Sequence, residues 1–356
     1  MLGRRKFLIV AIILAVILFV ALNVAFQGSN NNSSVFENKE NISIAVTGDV
    51  MFARNMPNVL SLDSSPFAGV SNVTSNVDLL LINFENAATN SGDALKGDVP
   101  LKCDPSYVPL AKANNNTVAS LANNHASDYG VTGLKDTISY LKEAGITPIG
   151  AGENEDEAHQ AVTQDINGRK VTILNYMDSN NFAEYSYEVM PYANGSNPGY
   201  SAYDSADAQK QIAENNDSDL IVAYLHFGNE YSNSPNEDQV RIAHELIDYG
   251  ADVVIGSHPH VTQGVEMYNG KPIFYSLGNF IFDQSNEATH SAYFVQIDLV
   301  DGTGKCTVYP IYISNYLPQF MDSDSGNSLL NGLSPKADEL HVENGVGTLE
   351  FNLTDG

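Results

Sequence analysis

Residues Phe7 to Phe26 form an unbroken apolar run, FLIVAIILAVILFVALNVAF, with one asparagine and no charge. At about 1.5 Å per residue such a helix is roughly 30 Å long, the thickness of a bilayer's hydrocarbon core. Arg4, Arg5 and Lys6 precede the run, and no basic residue follows it until Lys39. That asymmetry predicts a cytoplasmic N-terminus, one pass through the cell membrane, and the remainder of the chain outside. The run exceeds an ordinary signal-peptide core, and no small-x-small site closes it, which favours a retained anchor over a cleaved leader. Residues 1–27 are therefore read as basic stub and anchor, and the Asn/Ser-rich stretch 28–41 as a flexible stalk. Residues 42–356 carry no repeat and no second linker, and read as one extracellular domain.

Charge narrows the partners. The chain has 43 acidic and 17 basic residues, formally −26, and every acidic residue lies beyond the anchor. Nucleic acid is excluded as a partner, since its phosphates require a basic footprint. A polyanionic substrate would be repelled at long range unless a metal ion or local Lys/Arg offset the field. Cys103 and Cys306 have no Cys or His at zinc-ligand spacing. A disulfide and two buried thiols both stay open.

Along the chain, short apolar runs alternate with helical patterns. Strands are expected at 42–48, 77–85, 117–124, within TPIGAG, within NGRKVTILNYMD, at 219–228 and at 251–257. Helices are expected at PSYVPLAKAN, at 130–145, at ENEDEAHQAV, near 204–214 and at 237–250. A long Tyr/Asn/Gly/Pro-rich loop fills 179–203. From Val265 onward, strands with tight turns at Asn269-Gly270 and Asp301-Gly302 take over. The pattern predicts an α/β sandwich with mixed sheets.

Polar residues recur where these strands end, which is where α/β folds place functional groups. The first strand ends at Asp49. The second brings Asn83, Glu85 and Asn86, and the third Asn123, Asn124, His125 and Asp128. The fourth ends with His226, Asn229 and Glu230, and the fifth with His258 and His260. Each alone is ordinary, because an Asp after a strand is more often a turn or cap residue. His258-Pro259-His260 is stronger. In an extended segment, two imidazoles two residues apart point the same way and reach one metal. Carboxylate, amide and imidazole together form a divalent-metal donor set. His159, His244, His290 and His341 lie in helical patterns or polar surroundings and read as structural.

The series GDVMFAR, NFENA, LANNHASDYG, LHFGNEY, GSHPHVTQGVE and YSLGNFIFDQ resembles the poly-gamma-glutamate capsule biosynthesis protein family (CapA/PgsA), which is in turn similar to the calcineurin-like metallophosphoesterases. The resemblance spans nearly all of residues 42–320. It implies a four-layer α/β/β/α sandwich of the metallophosphatase type, preceded by one transmembrane helix. It implies a divalent metal, Mn, Fe or Zn, held by Asp49, Glu85, Asn124, His226, His258 and His260. His125 and Asp49 would be the catalytic pair, with Arg54 and Asn279 lining the pocket. The implied partners are an anionic polymer or peptide substrate, the membrane, and other polymer-synthesis membrane proteins. Two departures stand out. Met51 occupies the place of an imidazole in the first phosphoesterase motif, and a thioether is a poor ligand for hard divalent ions. Glu85 replaces an Asp in the second motif. One ion or none thus both stay open. So do four functions: a polymer synthesis, tethering or export factor, a metal-dependent hydrolase of phosphoester or amide bonds, a metal-independent acid–base (epimerase-like) enzyme, and a silent scaffold.

Overall fold

The computed structural model describes residues 41–97, 99–182, 186–300 and 302–353, which belong to one compact unit, Glu40–Gly356. The expected anchor and the stalk up to residue 40 lie outside the described residues. Among the described residues, no helix is long and apolar enough to cross a membrane.

Two mixed sheets dominate. In the larger, Ile42–Val50 is central. It runs parallel to Leu79–Phe84, which is followed by Thr117–Ser120 and Thr147–Ile149, also parallel. On its other side it pairs antiparallel with Ser291–Val300, which forms a long hairpin with Thr303–Ser314. The smaller sheet has the parallel strands Arg169–Met177, Leu220–His226, Val253–Ser257 and Lys271–Phe274. The antiparallel strands Val162–Ile166 and Val265–Tyr268 flank them.

Strand alternation sorts the apolar residues into layers. Ile44, Val46, Leu79 and Leu81 pack with Val171, Ile173, Val222, Tyr224 and Ile255, one face of each sheet against the other. Their neighbours Ala45, Leu80, Ile82 and Ala119 turn the opposite way, toward Leu134 and Leu141 of helix Gly130–Glu143. On the far side, Leu174, Ala223 and Leu225 meet Ala208 and Ile212 of helix Ser205–Glu214, and Ile242 and Leu246 of helix Glu237–Tyr249. Each helix bears an apolar stripe at three- and four-residue spacing, so it can cover a sheet while its other face stays in water.

Several local expectations are revised. The helix expected at PSYVPLAKAN is a 3-10 turn, Pro105–Ala111, because Pro109 has no N–H to donate to a longer ladder. ENEDEAHQAV holds a single helical turn, Glu155–His159, ended by extended Gln160. TPIGAG divides into two short strands at Gly150, whose φ is 83°. Between the strand Leu317–Phe320 and the closing hairpin of His341–Glu343 with Val346–Asn352 there is also a helix, Ser323–Asn331, started by the Asp322 carboxylate accepting from Ser325 N at 2.9 Å. Asn269 and Gly270, at φ 50° and 76°, do make the tight hairpin turn.

Candidate metal centre

Five strand ends meet at one edge of the two sheets. In the larger sheet, Asp49 is in register with Asn83 on one side and Asn279 on the other, and Asn83 with Ser120. Gly48 makes the pairing with Asn279 possible: a Cβ there would lie 1.8 Å from the Gly278 carbonyl oxygen. In the smaller sheet, His226 is in register with Ser257, immediately before His258. Tyr224 Oη donates to the Thr47 carbonyl at 2.9 Å and ties the sheets together beside the cluster.

The side chains converge. Asp49, Glu85 and His226 are fully buried, and their ligand atoms lie within 4.8 Å of one another. Asn83 is the hub. Its Nδ2 donates to Asp49 Oδ1 at 2.8 Å and Glu85 Oε2 at 3.2 Å, and lies 3.3 Å from His226 Nδ1. His226 Nε2 is 3.0 Å from Asn124 Oδ1 and 4.0 Å from Glu85 Oε1. His260 Nε2 approaches Glu85 Oε1 from the other side, at 3.9 Å. The His258 ring centroid lies 4.7 Å from that of His226 and 6.2 Å from that of His260.

The local backbone differs from the expected extended segment. His258 and His260 have φ of 103° and 58°, so the chain turns tightly there. The two rings are brought together by this turn and not by strand alternation, and their planes are 52° apart. Left-handed backbone at two non-glycine residues costs energy that the surrounding packing must hold in place.

Burial decides the protonation states. Burial and then the Asp49 charge push the Glu85 carboxyl well above its usual range. Burial works the same way on Asp49, but the nearby His260 and His226 and the Asn83 amide outweigh it and hold that carboxyl well below the usual range. Burial, then neighbouring His258, depresses His226 strongly, and burial, then His260, pushes His258 down to about 3. Both imidazoles are therefore neutral at pH 7, with lone pairs to offer a metal. Glu85 Oε1 is buried without a hydrogen-bond partner and faces two imidazole nitrogens. An orphaned carboxylate oxygen among imidazoles fits a divalent cation.

Other sites occupy the margin. His125 Nδ1 is 2.7 Å from Asp128 Oδ2, and the ring is pushed down by burial against the opposing Asp128 charge. Asn123 Oδ1 accepts from the backbone N–H of His125 at 3.1 Å and of Ala126 at 2.8 Å, shaping that loop. Arg54 sits at the rim, paired with Asp283, with its guanidinium 5.4 Å from the Phe282 ring. Phe282 in turn lies 4.8 Å from His260. Met51 is part of the apolar layer outside the larger sheet, with its sulfur accepting from Ala53 N at 2.8 Å. Asn83, Asn123 and Asp128 stand among the strand-end residues of the sequence, but their bridging roles depend on tertiary contacts. Lys96, 3.1 Å from the Asn124 carbonyl oxygen and 3.8 Å from Asp128, has no sequence signal at all. The remaining histidines make local contacts: His159 with Asp207, His244 with Glu266, His290 with the Gln284 carbonyl, and exposed His341 with Glu343.

Residues 43–284 match the family described as "Bacterial capsule synthesis protein PGA_cap". The chain is 33% identical over 324 residues to "Capsule biosynthesis protein CapA" of Bacillus anthracis, covering 87% of this chain and 77% of that one. It is also 33% identical over 290 residues to "PGA biosynthesis protein CapA" of Bacillus subtilis (strain 168), covering 80% and 75%. Among solved structures it is similar to the calcineurin-like phosphoesterase YfkN from Bacillus subtilis. There the identity is 14%, 88% of this chain and 90% of that chain are covered, and the TM-score is 0.44.

Proposed function

Because the chain belongs to the bacterial capsule synthesis protein family PGA_cap, we propose that it works in the synthesis, tethering or export of poly-gamma-glutamate or a similar anionic envelope polymer. In this reading the Phe7–Phe26 run anchors it in the cell membrane, the domain stands outside, and neighbouring polymer-synthesis membrane proteins are its partners. The fold is read as the four-layer metallophosphatase type, with one divalent ion, Mn, Fe or Zn, at the strand-end cluster.

The observation that carries the site is the buried pair of carboxylates, Asp49 and Glu85, with Glu85 Oε1 orphaned between His226 and His260. Asp49, Glu85 and His226 would hold the ion, with Asn124, His258 and His260 around it. Bound there, the ion would supply Lewis acidity to a phosphoryl, carboxyl or amide oxygen. Met51 is committed to the apolar core, so a second ion would lack its imidazole, which supports one ion rather than two. In this reading His125, oriented by Asp128, would give or take a proton at a leaving group.

The test uses the full chain. Metal content of the detergent-solubilised protein is measured for wild type, Glu85→Gln and His226→Asn, and surface polymer is measured in cells whose own copy each variant replaces. We expect about one equivalent of Mn, Fe or Zn in the wild type, and loss of both metal and polymer in the variants. Unchanged polymer in cells lacking the chain would remove the polymer role. Polymer fully restored by a metal-free variant would leave the scaffold reading in place of the catalytic one.

A further inference from the structure

His260 is flanked at Nδ1 by two oxygens, Asn279 Oδ1 at 2.9 Å and Asp49 Oδ2 at 3.2 Å. Both are acceptors, so Nδ1 carries a proton, and in the neutral ring the lone pair is then on Nε2. The N–H is aligned on Asn279. Asp49 Oδ2, although near, is left buried without a hydrogen bond.

The Asn279 amide cannot be turned the other way. Its Nδ2 donates to the Thr289 carbonyl at 3.3 Å, and a backbone carbonyl only accepts. The same nitrogen donates to Gln284 Oε1 at 2.9 Å, and Gln284 Nε2 reaches Tyr231 Oη at 3.3 Å. Asn279 is itself buried, and the close approach at Gly48 holds its strand against Asp49. Its carbonyl oxygen is thus aimed at one ring nitrogen by contacts independent of that ring.

We propose that Asn279 is a positioning residue that takes the Nδ1 proton of His260 away from Asp49, so that Asp49 Oδ2 and His260 Nε2 both keep their lone pairs for a cation. Without Asn279, the acceptor left at Nδ1 is Asp49. The imidazole would then spend its proton on the carboxylate, and one donor of the cluster would be engaged before any ion arrived. An outer hydrogen-bond partner of this kind is generally worth 10- to 100-fold in metal affinity. The metal side of this proposal rests on the reading above; the proton placement does not.

Two measurements on the full chain in detergent test it. The first is the histidine ring ¹⁵N spectrum of metal-free protein, with His260 assigned by its loss in His260→Gln. The wild type should show a protonated Nδ1 and a bare Nε2. A proton on Nε2 overturns the proposal whatever the metal does. The second is affinity for Mn²⁺ and Zn²⁺ alone in wild type and in Asn279→Leu, where the leucine fills the space without an acceptor and should bind about 10- to 100-fold more weakly. Equal affinity in the leucine variant, with its fold intact by circular dichroism, also overturns the proposal. A wild type that binds neither ion but shows the stated tautomer removes the metal reading and leaves the placement of the proton standing.

Discussion

His258 is a base kept neutral inside the protein. Burial, and then neighbouring His260, bring it from 6.5 down to about 3. Between those values the unfolded chain binds a proton that the folded chain refuses. Its contribution to stability is therefore complete above about pH 6.5 and is lost as the pH falls toward about 3. One such group gives a slope of at most ~1.4 kcal/mol per pH unit. His226 is depressed in the same direction and adds to that slope. Glu85 has the opposite sign. Its carboxyl is raised, so in metal-free protein its contribution is present below the ordinary carboxylate range and is lost as the pH rises through the raised value. Urea denaturation of the metal-free chain should show both limbs. His258→Asn should flatten the loss of stability between about pH 6.5 and 4, and Glu85→Gln should flatten the loss on the alkaline side. Variants with the slopes of the wild type would show that these groups exchange protons freely with solvent.

At the scale of elements, a sheet divides the two cysteines. Cys103 packs in the apolar layer outside the larger sheet, while Cys306, on the strand Thr303–Ser314, faces the layer between the sheets. Both are free and buried. Of the two readings open in the sequence, the buried thiols stand and the disulfide falls. Burial pushes the Cys103 thiol up to about 12 and the Cys306 thiol well above its ordinary value. Since the thiolate is the reactive form, a thiol-specific reagent at about pH 8 should label neither residue in the folded chain and both after denaturation. Reducing agent should leave the melting temperature where it was. Rapid labelling of either cysteine under native conditions would show that its layer opens. Within the larger sheet, strand alternation places Ala45 and Val46 in different cores.

The whole molecule is an anion, formally −26. If its substrate is an anionic polymer, encounter is opposed beyond contact distance and is helped only locally, by Arg54 at the rim and by a bound cation. Screening should then favour binding. Raising the salt from about 10 mM to about 150 mM shortens the Debye length from roughly 30 Å to roughly 8 Å. Over that range the apparent affinity of the full chain for poly-gamma-glutamate should rise, and divalent ions should raise it further. Affinity that falls steadily with salt would mean that local cations dominate recognition and that net charge matters little.

Much of this chain was open to reading along its length. Strand and helix periods depend on neighbours in sequence, so the β-α alternation, the Asn269-Gly270 turn and the apolar faces were legible. The strand ends bearing Asp49, Glu85, Asn124, His226, His258 and His260 could be marked for the same reason. Three-dimensional arrangement decided the rest. Which oxygen His260 faces depends on Asn279, a neighbour across the strand pairing of Asp49. That His258 and His260 meet through a turn follows from backbone angles that local propensity disfavours. Asn83 as a hub and Lys96 against Asn124 exist only once segments far apart in sequence are packed together. Local patterns encode which residues end up buried or at an edge. They do not encode the hydrogen-bond partners of a buried polar group, because those are chosen by whichever donors and acceptors the finished core brings within reach.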